Sequence, residues 1–196
     1  MSEHLRERSK VALILGSACE GRLCDTVAAW VEQSVRAGGE FEIDVIDPLA
    51  LELPVRHEHE DGPAVQALQQ RLADADAFIV VTPEYNHSYP AALKFLIDSV
   101  YEAWQAKPVA FVSYGGIAGG LRAVEHLRHV FAELHAVGIR DVVSFANVWE
   151  SIDERSGELR GSTSAERSMS TLLSRLHWWA EALRHARLVR PYQQVA

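Results

Sequence analysis

Three short segments of this 196-residue chain gather the residue types that ligand-binding chemistry needs. The first is Gly16-Ser17-Ala18-Cys19-Glu20-Gly21-Arg22, which follows the apolar run 11–15 and precedes a helix-spaced stretch. A strand-to-helix turn of this kind offers an anion several backbone N–H groups and the positive end of a helix dipole. Ser17 adds a hydroxyl, and Arg22 a guanidinium whose fork suits phosphate. The same residues also fit an ordinary turn with a surface arginine. Neither familiar phosphate motif is present: GxxxxGK[ST] would need Lys and a hydroxyl where Arg22 and Leu23 stand, and GxGxxG would need Gly in place of Ala18.

The second segment, Pro83-Glu84-Tyr85-Asn86, directly follows the apolar run 77–81. Successive amides there can bond the edge of a flat heterocycle while an aromatic residue covers its face. Pro and Asn are also common turn formers, so a plain turn accounts for the same letters. The third segment holds Ser113, Tyr114, Gly115 and Gly116, then Gly119 and Gly120. Four glycines within six residues permit left-handed backbone and close approach to a ligand.

These segments need elements to position them, and the chain supplies an alternation of strand and helix. Runs 11–15, 77–81 and 109–112 are continuously apolar, as central parallel strands covered on both faces are. Residues 41–45 alternate up to Asp47 and Pro48, and 142–145 reads as a fifth strand. Helical spacing predicts helices over 25–36, around Val65, Leu68 and Leu72, over 90–104 entered through Pro90, over 121–137 up to Gly138, and over 167–187. Residues 49–61 and 152–166 read as loops. Five βα units imply a parallel sheet with helices on both faces. The expected fold class is therefore α/β, and one common arrangement of such a five-stranded sheet has the strand order 2-1-3-4-5. In that order ligands bind beyond the carboxyl ends of the strands, between strands 1 and 3. All three unusual segments follow strands that end there. The domain expectation is a flexible stretch over 1–9, one domain over 10–190 and a tail over 191–196.

Composition narrows the function classes. Hydrophobic residues make up 48% and charged residues 23%, as in a folded globular chain. The net charge of −8 argues against a general nucleic-acid or anionic-membrane binder, both of which need cationic surface. Two cysteines, Cys19 and Cys24, cannot build a disulfide scaffold or a four-thiolate metal site. No run approaches the ~18 apolar residues of a membrane span, and the charged start lacks a signal-type apolar stretch, so a cytoplasmic protein is expected. The run His57-Glu58-His59-Glu60-Asp61 reads as a solvated loop rather than a metal site. His126 and His129 read as polar-face residues, and the Trp178–Trp179 pair as core or subunit interface. Phe95, Ile97, Val100, Tyr101 and Trp104 exceed one core stripe, which suggests a second buried face on helix 90–104.

The chain resembles the NAD(P)H-dependent FMN reductases, flavodoxin-fold flavoproteins that include quinone, azo-dye and chromate reductases, and the resemblance implies a flavodoxin-like three-layer sandwich with a five-stranded parallel sheet of order 2-1-3-4-5. PEYNHSYPAALKFLIDSV (83–100) carries the resemblance, together with SYGGIAGGLRA (113–123) at the matching distance. The resemblance implies a non-covalent FMN, with Ser17 and Arg22 at its phosphate, Pro83, Glu84, Tyr85 and Asn86 lining its ring, and Ser113, Tyr114, Gly115 and Gly116 bordering the same ring. It implies NADPH or NADH as co-substrate and a small electron acceptor such as a flavin or quinone. A homodimer or homotetramer packed through the helix after PEYN is implied too, with a flavin-dependent monooxygenase as a conceivable partner. The family usually carries Arg at the fourth position of its first loop; this chain has Cys19, which leaves Arg22 as the main cation there. Since the cofactor carries the hard chemistry, no side-chain acid or base is assigned. The alternatives are an electron carrier of the same fold without a nicotinamide reaction, and a flavin-free binding protein.

Overall fold

Every residue of the strand runs 11–15 and 77–81 is at most 4% exposed, which only a sheet covered on both faces can provide. The computed structural model describes residues 8–57 and 60–195. Strands β1 (Ser9–Leu15), β2 (Phe41–Ile46), β3 (Ala77–Pro83), β4 (Pro108–Gly115) and β5 (Val137–Ala146) pair in parallel in the order β2-β1-β3-β4-β5. The period of two sends Val11, Leu13 and Leu15 to one face and Ala12 and Ile14 to the other. The first set packs with Val27 and Val31 of α1 (Cys24–Gly38) and with Leu172 and Leu176 of α5 (Thr163–Val189). The second packs with Leu68 of α2 (Pro63–Asp74), Leu96 of α3 (Ala91–Asp98) and Phe131 of α4 (Leu121–Glu133). The flavodoxin-like sandwich and its strand order are as the sequence led one to expect.

Several boundaries differ. The helix expected over 90–104 stops at Asp98, where both the N–H and the hydroxyl of Ser99 turn back to the Phe95 carbonyl. The chain then makes a 3-10 turn, Glu102–Trp104. Trp104 is fully buried between Phe78 and Phe131 and donates its indole N–H to the Val100 carbonyl at 2.7 Å. Ile97 and Val100 are buried as well, and Phe95 is stacked by His57 at 4.3 Å. The apolar surplus of this segment therefore serves the protein's own core, and of the five residues Tyr101 is the exposed one. Glu58 and His59 of the charged run lie outside the described residues.

The helix expected over 121–137 ends at Glu133, because His135 adopts φ 58° and Ala136 donates back to Phe131. That frees 137–141 to extend β5, so Gly138 is a strand residue opposite Val109 and not a helix stop. The last helix starts at Thr163, earlier than expected, because the Ser162 hydroxyl accepts the Ala165 N–H as an N-cap. On its surface Trp178 and Trp179 form an edge-to-face pair and stay out of the core, Trp178 being 64% exposed. Ser9 belongs to β1, so the segment thought flexible over 1–9 is strand at its end, and residues 1–7 lie outside the described ones. In the segment read as a tail, Tyr192 bonds His135 at 2.8 Å.

At the amino edge of the sheet Lys107 is buried. Its ammonium donates to the Leu72 and Ala73 carbonyls near the end of α2 at 2.7 and 2.8 Å. Burial, helped by the charge of Arg187, pushes this ammonium down to about 7. Among the described residues no helix is long and apolar enough to cross a membrane.

Candidate functional site

The loop after β1 is held to β3 at its root. Gly16 donates to the Val81 carbonyl at 2.7 Å, and a Cβ at this position would sit 2.6 Å from that oxygen. Only glycine permits so close an approach of two backbones. Beyond it the Ser17 side chain is fully buried, with its hydroxyl 3.3 Å from the Tyr85 hydroxyl. Among the described residues the amides of Ala18, Glu20 and Gly21 carry no backbone hydrogen bond. Unbonded amides ahead of the first turn of a 15-residue helix, α1, are what an anion requires.

Arg22 occupies an unexpected place. Its side chain is 4% exposed, and its donors are taken by Asp25 at 2.8 Å, Asp47 at 2.6 Å and the Ser17 carbonyl. The hydrogen bond to Asp47 raises the guanidinium further above its already high value. For Asp47, burial pushes upward, but the Arg22 and Leu49 hydrogen bonds outweigh it and hold the carboxyl below the usual range. Arg22 is thus a strut between α1, the end of β2 and the loop backbone, with little capacity left for a further anion. Sequence reasoning read Asp47 only as the stop of a strand; nothing in a lone Asp-Pro pair reveals a partner 25 positions away.

The loop after β3 is a tight two-residue turn. Tyr85 and Ser88 exchange backbone hydrogen bonds, while Asn86 and His87 have φ of 51° and 68°, the pattern of a type I′ turn. The Tyr85 phenol reaches the first loop, where its O–H lies 3.2 Å from Cys19 Sγ. The hydrogen bond to Cys19 pushes this phenol above its ordinary value. Glu84 is paired at 2.6 Å with Arg122 in the first turn of α4 and accepts the Arg122 backbone N–H as well. Its own amide donates to the Tyr114 carbonyl. The three loops expected to converge are therefore linked: the first to the third strand's loop through Tyr85, and that loop to the fourth strand's through Glu84.

The glycine loop divides its labour. Gly119 and Gly120 have φ of 57° and 82°, and added Cβ atoms would meet Ser144 Oγ at 2.3 Å and Ser113 Cβ at 2.7 Å. These two serve the packing of the loop on β4 and β5. Ser113 is buried and gives its hydroxyl to the Gly119 carbonyl. The Tyr114 side chain is buried beside Cys24, and burial raises its phenol well above the usual range. Gly115 and Gly116 remain accessible; the nearest atom to a Cβ on Gly116 would be Cη2 of Trp149, 3.8 Å away. Close approach of a ligand is thus available at Gly115 and Gly116, while Ser113 and Tyr114 offer backbone at most. A groove of about 910 Å3 opens beside this loop at the end of β5, lined by Ser144, Ala146, Glu150, Asp153 and Arg160 among others.

A buried parallel sheet, a phosphate-suited first loop and two linked loops at the carboxyl edge agree with the relatives of this sequence. Residues 9–150 match the model of the family described as NADPH-dependent FMN reductase. The chain belongs to that family. It is 34% identical over 137 residues to an NAD(P)H-dependent FMN reductase of Schizosaccharomyces pombe, covering 64% of this chain and 67% of that one. A probable NADPH:quinone oxidoreductase of Oryza sativa subsp. japonica is 33% identical over 178 residues, covering 84% and 89%. A quinone reductase of Escherichia coli K12 is 29% identical over 165 residues, covering 79% and 87%. Among solved structures, the flavoenzyme NAD(P)H:(acceptor) oxidoreductase FerB of Paracoccus denitrificans superposes with a TM-score of 0.69 at 21% identity, over 89% of this chain and 98% of that one. That last likeness speaks for the fold.

The donor set suits the flavin mononucleotide after which the family is named. Unbonded amides, the Ser17 hydroxyl and the start of α1 answer a phosphate. The accessible backbone of Gly115 and Gly116 beside the Asn86 turn answers the edge of a flat ring.

Proposed function

We infer that this protein is an FMN-dependent oxidoreductase that takes reducing equivalents from NAD(P)H and passes them to a flavin, a quinone or a similar small acceptor. The observation that carries this reading is the linkage of the three loops at the carboxyl edge of β1, β3 and β4, the place where this topology seats its ligand. Bound FMN would supply the hydride acceptance and electron release that side chains cannot. The chain's own residues supply place and field. Ser17 and the amides of Ala18, Glu20 and Gly21 would hold the phosphate, with the dipole of α1 behind them. Arg22 would act from beneath, cancelling Asp25 and Asp47 and pinning the loop through the Ser17 carbonyl. Pro83, Glu84, Tyr85 and Asn86, with Gly115 and Gly116, would wall the ring. Glu84 contributes by fixing its loop to α4 through Arg122. The protein would work as a homodimer or homotetramer. Exposed Tyr101 in the segment after PEYN, with exposed Leu49 and Val55 elsewhere on the surface, is apolar area that such packing would cover.

The test is anaerobic addition of NADH or NADPH to protein reconstituted with FMN. Flavin absorbance should bleach, and return on adding a quinone. Protein that holds FMN but does not bleach would be an electron carrier. Protein that takes up no FMN would overturn the reading altogether.

A further inference from the structure

One large aromatic at the carboxyl edge has no part in the fold. After β5 the chain passes through Asn147, whose left-handed backbone (φ 45°, ψ 51°) bends it sharply. The Asn147 amide is held by the Gly116 carbonyl at 3.0 Å, and the next residue, Val148, is 1% exposed and anchored in the core. The short 3-10 turn that follows, Val148–Ser151, is closed by bonds from Glu150 to Asn147 and from Ile152 to Trp149. With Val148 directed inward, the indole of Trp149 is turned out and left 56% exposed. Its edge lies next to Gly116, with Cη2 3.8 Å from where a Cβ on that residue would stand. Ile117, on the other side of Gly116 in sequence, is 87% exposed. An indole held at this place by a fixed backbone spends little conformational freedom when a second ring stacks on it.

We propose that Trp149 is the stacking platform for the electron acceptor, and that it makes the site selective for planar aromatic acceptors of the quinone class. The proposal rests on the reductase reading for the identity of the ligand and deepens it. It adds a residue from the 3-10 turn after β5, a strand whose loop is none of the three. A π-face recognises a flat conjugated ring through offset or edge contact in addition to buried area. It gives no such advantage to a compact, octahedral acceptor such as ferricyanide. Trp149 is a specificity residue: it holds the acceptor's ring and transfers neither electrons nor protons.

The experiment measures binding and turnover separately. Anthraquinone-2-sulfonate, soluble and inert toward the exposed thiol of Cys19, is dialysed to equilibrium against oxidised, FMN-loaded protein. Trp149→Ala should weaken its affinity about tenfold, and Trp149→Phe should restore it to within about threefold of wild type. Trp178→Ala, which removes a somewhat more exposed indole on α5, should leave the affinity unchanged. In turnover, kcat/KM for a naphthoquinone relative to that for ferricyanide should fall about tenfold in Trp149→Ala, chiefly through KM. Wild-type quinone affinity in Trp149→Ala, or equal loss in Trp178→Ala, would overturn the proposal. Failure of NAD(P)H to bleach the flavin, with this binding pattern intact, would sink the reductase reading and leave the platform standing.

Discussion

Arg22 shows how a residue's chemistry depends on what surrounds it. In sequence it is a cation in a phosphate-like loop. In the structure two carboxylates and a carbonyl take its donors. Charge-assisted bonds of this kind are worth roughly 1.5–3 kcal/mol, so their removal should be felt at the loop. Arg22→Ala should weaken FMN binding about 10- to 100-fold, read from flavin fluorescence quenching. Part of that loss should come from Asp47, left charged beneath a phosphate site. Adding Asp47→Asn to the Arg22→Ala protein should therefore recover some affinity. No recovery at all would mean that the guanidinium meets the phosphate directly. Much of the site was legible at this scale, but unevenly. Gly16, Ser17 and the Asn86 turn follow from local rules of backbone and hydroxyl chemistry. The roles of Asp47 and of the Glu84–Arg122 pair do not, because their partners lie 25 and 38 positions away. The burial of the Tyr114 side chain is hidden for a related reason: whether a tyrosine at a strand's end points inward is decided by the neighbouring element.

At the scale of elements, strands are more legible in the sequence than helix ends. A strand buried on both faces shows as a solid apolar run, whereas a helix can stop wherever a few residues find another partner. α4 stops at Glu133, five positions before the glycine that reads as its end and just ahead of a left-handed histidine, and α3 yields its last turns so that Trp104 can fill the core. The amino edge holds the element with the clearest energetic signature, the Lys107 strut beneath α2. Its ammonium titrates near 7 in the folded chain against 10.5 when solvated. Between those values the unfolded chain binds more protons, so this group makes stability rise with pH from about 7 to about 10. Below 7 its charge is present in both states, and its burial weighs fully against the fold. Lys107→Met should thus stabilise the protein most at pH 6 and progressively less toward pH 10. Urea midpoints across that range would show it. A midpoint difference independent of pH would mean that the ammonium is not displaced from its ordinary range.

The whole molecule adds a constraint that neither residues nor elements carry. Alternation of strand and helix is enough to reach a parallel sheet covered on both faces, while the order 2-1-3-4-5 comes with the family resemblance and is the order the structure has. That order brings the loops after β1, β3 and β4 to one edge, and the packing behind them is closed: Ser17 and Ser113 are fully buried and Tyr114 nearly so. A flat cofactor seated there would have protein behind it and one open side. Nicotinamide and a quinone are both planar, and both need that side. They should therefore use it in turn, the oxidised nicotinamide leaving before the acceptor enters, which gives ping-pong kinetics. Initial rates at several fixed quinone concentrations should yield parallel double-reciprocal lines. Trp149→Ala should raise the quinone KM and keep the lines parallel, since a platform at the rim changes how well the acceptor is held and not when it may enter. Intersecting lines would require both substrates to be bound together. The groove of about 910 Å3 at the end of β5 would then be the place to seek the second seat, with Glu150→Ala and Arg160→Ala separating the two KM values.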